Sequence, residues 1–234
     1  MPAPVFGRFA VTAEVVVSKI FPAGFGWQGS SAVAEGMGLT DTDLGFFLTT
    51  GGGDFLGVLT GHCLFYAIKK STFDSSIDMS AQFQVGWWLA SAAFMSGAAW
   101  QPLVNAFQAE GVAFSFNTAV GMTTIGCGLM FYTGLRLGRA IYRPILPMIP
   151  PATYLNLRMD AQLSVAVGGA TGCFVGTDLS YGDSNWLGVF GIGVEDTDSV
   201  LEGMIKAGTS TAMGFTAVQI VQNVVMPHNH CWLD

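Results

Sequence analysis

The stretch LGFFLTTGGGDFLGVLTGHCLFYAI, residues 44–68, contains one carboxylate, Asp54, and one imidazole, His62, before Lys69 and Lys70 end it. An apolar run of about 20 residues is what a membrane-crossing helix needs. Thr40, Asp41, Thr42 and Asp43 stand directly before it. Short hydroxyl and carboxylate side chains accept hydrogen bonds from the free N–H groups of a helix start, so a helix is predicted from about Leu44 to Ile68.

Working outward, four more runs have the same character. They cover Phe83 to Phe107, Val112 to Leu135, Ala161 to Thr177 and Gly203 to Met226. Arg136 and Arg139 stop the second of these, Asp160 precedes the third, and Pro227 stops the last. Phe6 to Ile20 reads as a shorter amphipathic helix lying in a membrane interface. Pro144, Pro147, Pro150 and Pro151 forbid regular helix in the connection they occupy. Trp87, Trp88, Trp186 and Trp232 fall near predicted span ends, where indole rings favour the headgroup layer.

The expected fold class is therefore an all-α integral membrane protein. It would be a bundle of five transmembrane helices plus a short N-terminal amphipathic helix, forming a single polytopic domain over residues 1–234. Composition agrees: 51% of residues are hydrophobic and 11% charged, against about 25% charged in a typical soluble domain. The 31 glycines also suit membrane helices.

Lys69, Lys70, Arg136, Arg139, Arg143 and Arg158 all fall on one side of a five-span layout. Asp178, Asp183, Glu195, Asp196, Asp198 and Glu202 crowd the other. The positive-inside rule puts the C-terminus with the basic side. An energy-converting organelle membrane is the expected location, the mitochondrial inner membrane first. The N-terminal segment carries Glu14 beside Arg8 and Lys19 and lacks the clean apolar run of a secretory signal.

An offset of 117 residues aligns Asp43 with Asp160, and Gly51 and Gly52 with Gly168 and Gly169. It also aligns Gly97 with Gly214. The halves 1–117 and 118–234 would then form an inverted repeat, a plan common among transporters. Chance matching in a Gly- and Ala-rich chain accounts for the same pairs.

Asp54 is the first candidate for chemistry. At the middle of a span it reads either as a proton or cation site or as a buried structural acid. Lys206 is its candidate partner, or instead reaches toward the acidic side. His62 is a lone histidine within the spans and Asn117 a further interior polar group, which leaves bis-histidine haem without a second ligand. Gly53, Gly57 and Gly61 form a small-residue row suited to close helix packing. Gly168, Gly169, Gly172 and Gly176 form a second, and Gly208 and Gly214 continue the theme.

Pro227-His228-Asn229-His230-Cys231 holds metal-capable side chains too close together for a closed tetrahedral site, so no metal is expected. Cys63, Cys127, Cys173 and Cys231 show no CxxC pairing. No hydrolase elbow, Walker loop or metalloprotease helix occurs. A net charge of −7 argues against nucleic acid. The expected role is a non-catalytic accessory subunit of a larger membrane complex, touching the lipid bilayer, bound lipids and other membrane subunits, with no cofactor. The alternative is a small inverted-repeat transporter or channel using Asp54.

Overall fold

The computed structural model describes residues 13–14, 16–39, 42–109 and 116–149, with positions 201 and 205. Four helices carry them, and no strand occurs among the described residues: α1 (Phe21–Gly36), α2 (Asp43–Thr72), α3 (Met79–Ala109) and α4 (Phe116–Tyr142). A π-helical turn, Val16–Ile20, leads into α1. The all-α expectation holds.

The predicted segments 44–68 and 83–107 lie within α2 and α3, and 112–135 overlaps α4. The segment 161–177 lies outside the described residues, as does 203–226 apart from position 205, and the pairing of the repeat halves 1–117 and 118–234 rests on them.

The membrane assignment is overturned. Among the described residues no helix is long and apolar enough to cross a membrane. Thr49, Thr50, Asp54 and His62, with the glycines between them, dilute α2. Gln82, Gln84, Gln101 and Asn105, with three tryptophans, dilute α3. The hydrophobic 51% of the composition counts Ala, Trp and Tyr as fully apolar, yet these contribute little to the free energy of entering hydrocarbon. The mitochondrial inner-membrane placement falls with the spans. The low charge content instead accompanies helices that meet through glycines.

Helix ends follow local chemistry. Pro22 sits in the first turn of α1, where its missing N–H costs nothing. Gly38 then adopts φ 65°, a left-handed conformation that a β-carbon would strain. It donates to the Glu35 carbonyl at 3.0 Å while Leu39 donates to that of Ala34 at 2.9 Å. The Thr42 hydroxyl accepts from the Gly45 N–H at 3.1 Å and caps α2. Asp78 accepts from the Ser80 N–H at 2.8 Å and starts α3.

Each helix packs antiparallel on its sequence neighbour. Along α1 and α2, Gly26 meets Gly53 and Gly57, while Pro22 meets Gly57 and Gly61. Between α2 and α3, Thr50 Oγ1 donates to the Gly97 carbonyl at 3.2 Å, and Phe55 meets Trp87 edge to face at 5.0 Å. Between α3 and α4, Trp88 Nε1 donates to the Leu135 carbonyl at 2.9 Å. Trp88 is thus 4% exposed, which corrects its expected place in a headgroup layer.

The core is built from small side chains. Ala23, Val58, Ala90 and Ala93 form one cluster. Trp88, Ala92, Leu135 and Ile149 form another.

A polar cluster around Tyr66

Tyr66 is one helical turn from His62 and lies near the C-terminal end of α2. The antiparallel crossing brings the residues before α1 against this end. The Tyr66 hydroxyl donates a short hydrogen bond to Glu14 Oε1. Lys69 Nζ lies 3.0 Å from Glu14 Oε2 as a half-exposed ion pair. Lys69 also stands 5.4 Å from the Tyr66 ring centre, and Lys19 Nζ stands 5.7 Å from it. The His62 ring approaches the same phenol, centre to centre, at 4.7 Å.

The electrostatics follow from this crowding. Burial opposes the ionisation of Glu14, but the hydrogen bonds from Tyr66 and Lys69 outweigh it and hold the carboxyl below its usual range. Burial, with the Glu14 hydrogen bond, pushes the Tyr66 phenol up. The Lys19 Nζ donates to Ser18 Oγ at 2.9 Å. Burial pushes its amine down to about 8, against the opposing pull of the Glu14 charge and with a smaller push from the Lys69 charge.

His62 is 1% exposed. Neither ring nitrogen makes a hydrogen bond of ordinary geometry among the described residues, although Gln82 lies close enough to favour the cation. Burial and the nearby Lys19 charge push its pKa down to about 4, so the imidazole is neutral near pH 7. Its Cδ2 would stand 2.9 Å from a β-carbon at Gly86.

Asp54 is separate from this cluster. It lies two turns earlier on α2, with its carboxyl pressed on Gly97 of α3. Burial pushes its pKa well up, so the neutral acid is favoured there. Its candidate partner Lys206 lies outside the described residues. Asn117 falls in α4, but its side chain lies outside them too.

Gly53, Gly57 and Gly61 all face α1 or the turn before it. Gly168, Gly169, Gly172, Gly176, Gly208 and Gly214 lie outside the described residues. Glu14, Lys19, Tyr66 and Lys69 were absent from the sequence candidates. Only the helix crossing brings them together, since Glu14 and Lys69 are 55 positions apart.

Among the described residues no three His, Cys, Asp or Glu side chains are grouped to hold a metal ion. Neither Cys63 nor Cys127 forms a disulfide, and burial pushes the Cys63 thiol up, away from a reactive thiolate. What the cluster can do chemically is hold charge in a partly dry place: one carboxylate, one phenol, two amines and a neutral imidazole. No protein-family model, no curated protein and no solved structure matches the chain.

Proposed function

We propose that the chain is a non-catalytic accessory subunit that contributes a helical face to a larger assembly. One observation carries this reading. Leu44, Leu48, Leu56, Leu64 and Ile68 of α2 are each more than half exposed. They are spaced by four or eight residues and form a ridge along the helix. Gly52, between Leu48 and Leu56, has open space above it. A ridge of this spacing packs into the groove of another helix, and contiguous exposed apolar surface marks an interaction site. The ridge bears no charged side chain, which favours an apolar helix of a partner subunit as its occupant.

A conduction role for Asp54 would need a membrane crossing that the described helices do not offer. Its buried carboxyl, packed on Gly97, favours a structural part instead.

The test is the size of the native particle. Extracted gently from its source, the chain should migrate within a complex much larger than its own 24.7 kDa. The double variant Leu56→Asp/Leu64→Asp should leave that complex while keeping its helical circular dichroism. A native chain that migrates alone, or a folded double variant that stays in the complex, overturns the proposal.

A further inference from the structure

Helix α4 finishes at the end of the bundle where α2 stops and α3 starts. The loop 73–78 joins α2 to α3 there, and the Met148 N–H donates to Gln84 Oε1 at 3.0 Å. Charge is unevenly placed around this end. No Asp or Glu occurs between Glu110 and Asp160, yet Arg136, Arg139, Arg143 and Arg158 do, in a chain of net charge −7. Among the described residues no carboxylate pairs with Arg136, Arg139 or Arg143. The Arg136 guanidinium stands 5.5 Å from the Tyr132 ring centre instead. The acids of the same end are engaged locally. Asp74 accepts from the Ser76 N–H at 3.0 Å, Asp78 caps α3, and Glu14 serves Tyr66 and Lys69.

The segment after α4 is anchored, yet it presents apolar groups outward. Leu146 and Ile149 pack on the cluster of Trp88 and Leu135, and the Leu146 N–H donates to the Tyr142 carbonyl at 2.6 Å. Ile145 and Met148, between these anchors, are 69% and 51% exposed, and Phe73 on the adjoining loop is 82% exposed. Exposed apolar side chains beside unpaired guanidinium groups suit the boundary between lipid headgroups and acyl chains, where the apolar part enters and the cation stays with the anions.

We propose that this end of the bundle rests on an anionic lipid surface without crossing it. Phe73, Ile145 and Met148 enter the headgroup layer, and Arg136, Arg139 and Arg143 pair with its anionic groups. The contact is separate from the leucine ridge of α2 and does not depend on the helix that covers that ridge.

The experiment sediments the purified full chain with vesicles of phosphatidylcholine alone, or with about 30% phosphatidylserine added, at about 0.1 M salt. Partition onto the anionic vesicles is expected to be at least about tenfold higher. Arg139→Gln/Arg143→Gln should lower it about fivefold for each arginine removed. Ile145→Ser/Met148→Ser should lower it severalfold on the same vesicles. Met37, at the opposite end of the bundle beyond α1, is 66% exposed, and Met37→Ser should bind as the parent does. Helical circular dichroism checks that each variant is folded. Absence of binding, equal partition onto the two kinds of vesicle, undiminished binding by either folded double variant, or an equal loss in Met37→Ser overturns the proposal.

Discussion

A β-carbon at Gly57 would overlap the carbonyl oxygen of Pro22 and stand 2.9 Å from its carbonyl carbon. Backbone meets backbone here, and neither side can rotate away. Gly57→Ala should therefore cost about 1–3 kcal/mol, the usual range for overpacking a tight contact. Gly52, one turn and a little earlier on the same helix, has nothing within 4 Å of the corresponding position. Gly52→Ala should instead stabilise by about 0.5–1 kcal/mol through helix propensity. Denaturant melts of the two variants test the pair, and shifts of the same sign would refute this account of the seam.

His62 should give stability a pH slope in mild acid. Its pKa is about 4 in the fold against 6.5 for the free side chain. Below pH 6.5 the unfolded chain takes up a proton that the folded chain refuses, so stability falls between pH 6.5 and about 4. The accumulated loss is about 3 kcal/mol at 1.36 kcal/mol per unit. His62→Phe should flatten this limb, as read from melts at half-unit pH steps. A slope that survives the substitution assigns it elsewhere.

Glu14 acts lower on the pH scale. Its folded pKa lies below 4.5, so the stability that it contributes is complete above 4.5 and is lost as pH falls through the lower, folded value. Tyr66→Phe withdraws one hydrogen bond and leaves a half-buried carboxylate oxygen short of a donor. The cost at pH 7 should be about 1–3 kcal/mol, with a shallower acid limb below pH 4.5. Equal melting of variant and parent at pH 7 would show the bond to be idle.

Trp88 fastens α4 to α3 through the Leu135 carbonyl in a buried place. Trp88→Phe keeps an aromatic ring but loses the donor, and should cost about 1–3 kcal/mol. A purely apolar role would predict little change, which equilibrium unfolding can measure.

Helices α2 and α3 were legible because each contains a long weakly polar run, that of α2 opening at a recognisable cap, Thr42. Helix α1 was not, since Gly24, Gly26, Gly29 and Gly36 argue against helix when read alone. Its glycines make sense only against the facing glycines of α2, and that match is tertiary. The membrane reading failed for another reason: the Thr, Gln, Asn and Gly residues scattered through these runs leave them less apolar than a span needs. The Tyr66 cluster could not be read in advance, because Glu14 and Lys19 look like ordinary polar residues until α2 crosses over them.

The serpentine order has a kinetic consequence. Each described helix contacts mainly the one before and the one after it in sequence. Loops of a few residues, such as 73–78, close these pairs, so little chain entropy is spent before contacts form. Low contact order of this kind is associated with microsecond to millisecond folding. Each hairpin can also form as it leaves the ribosome, α1 on α2 before α3 is made. The glycine seam would then be sealed first, leaving the leucine ridge of α2 bare on the nascent chain.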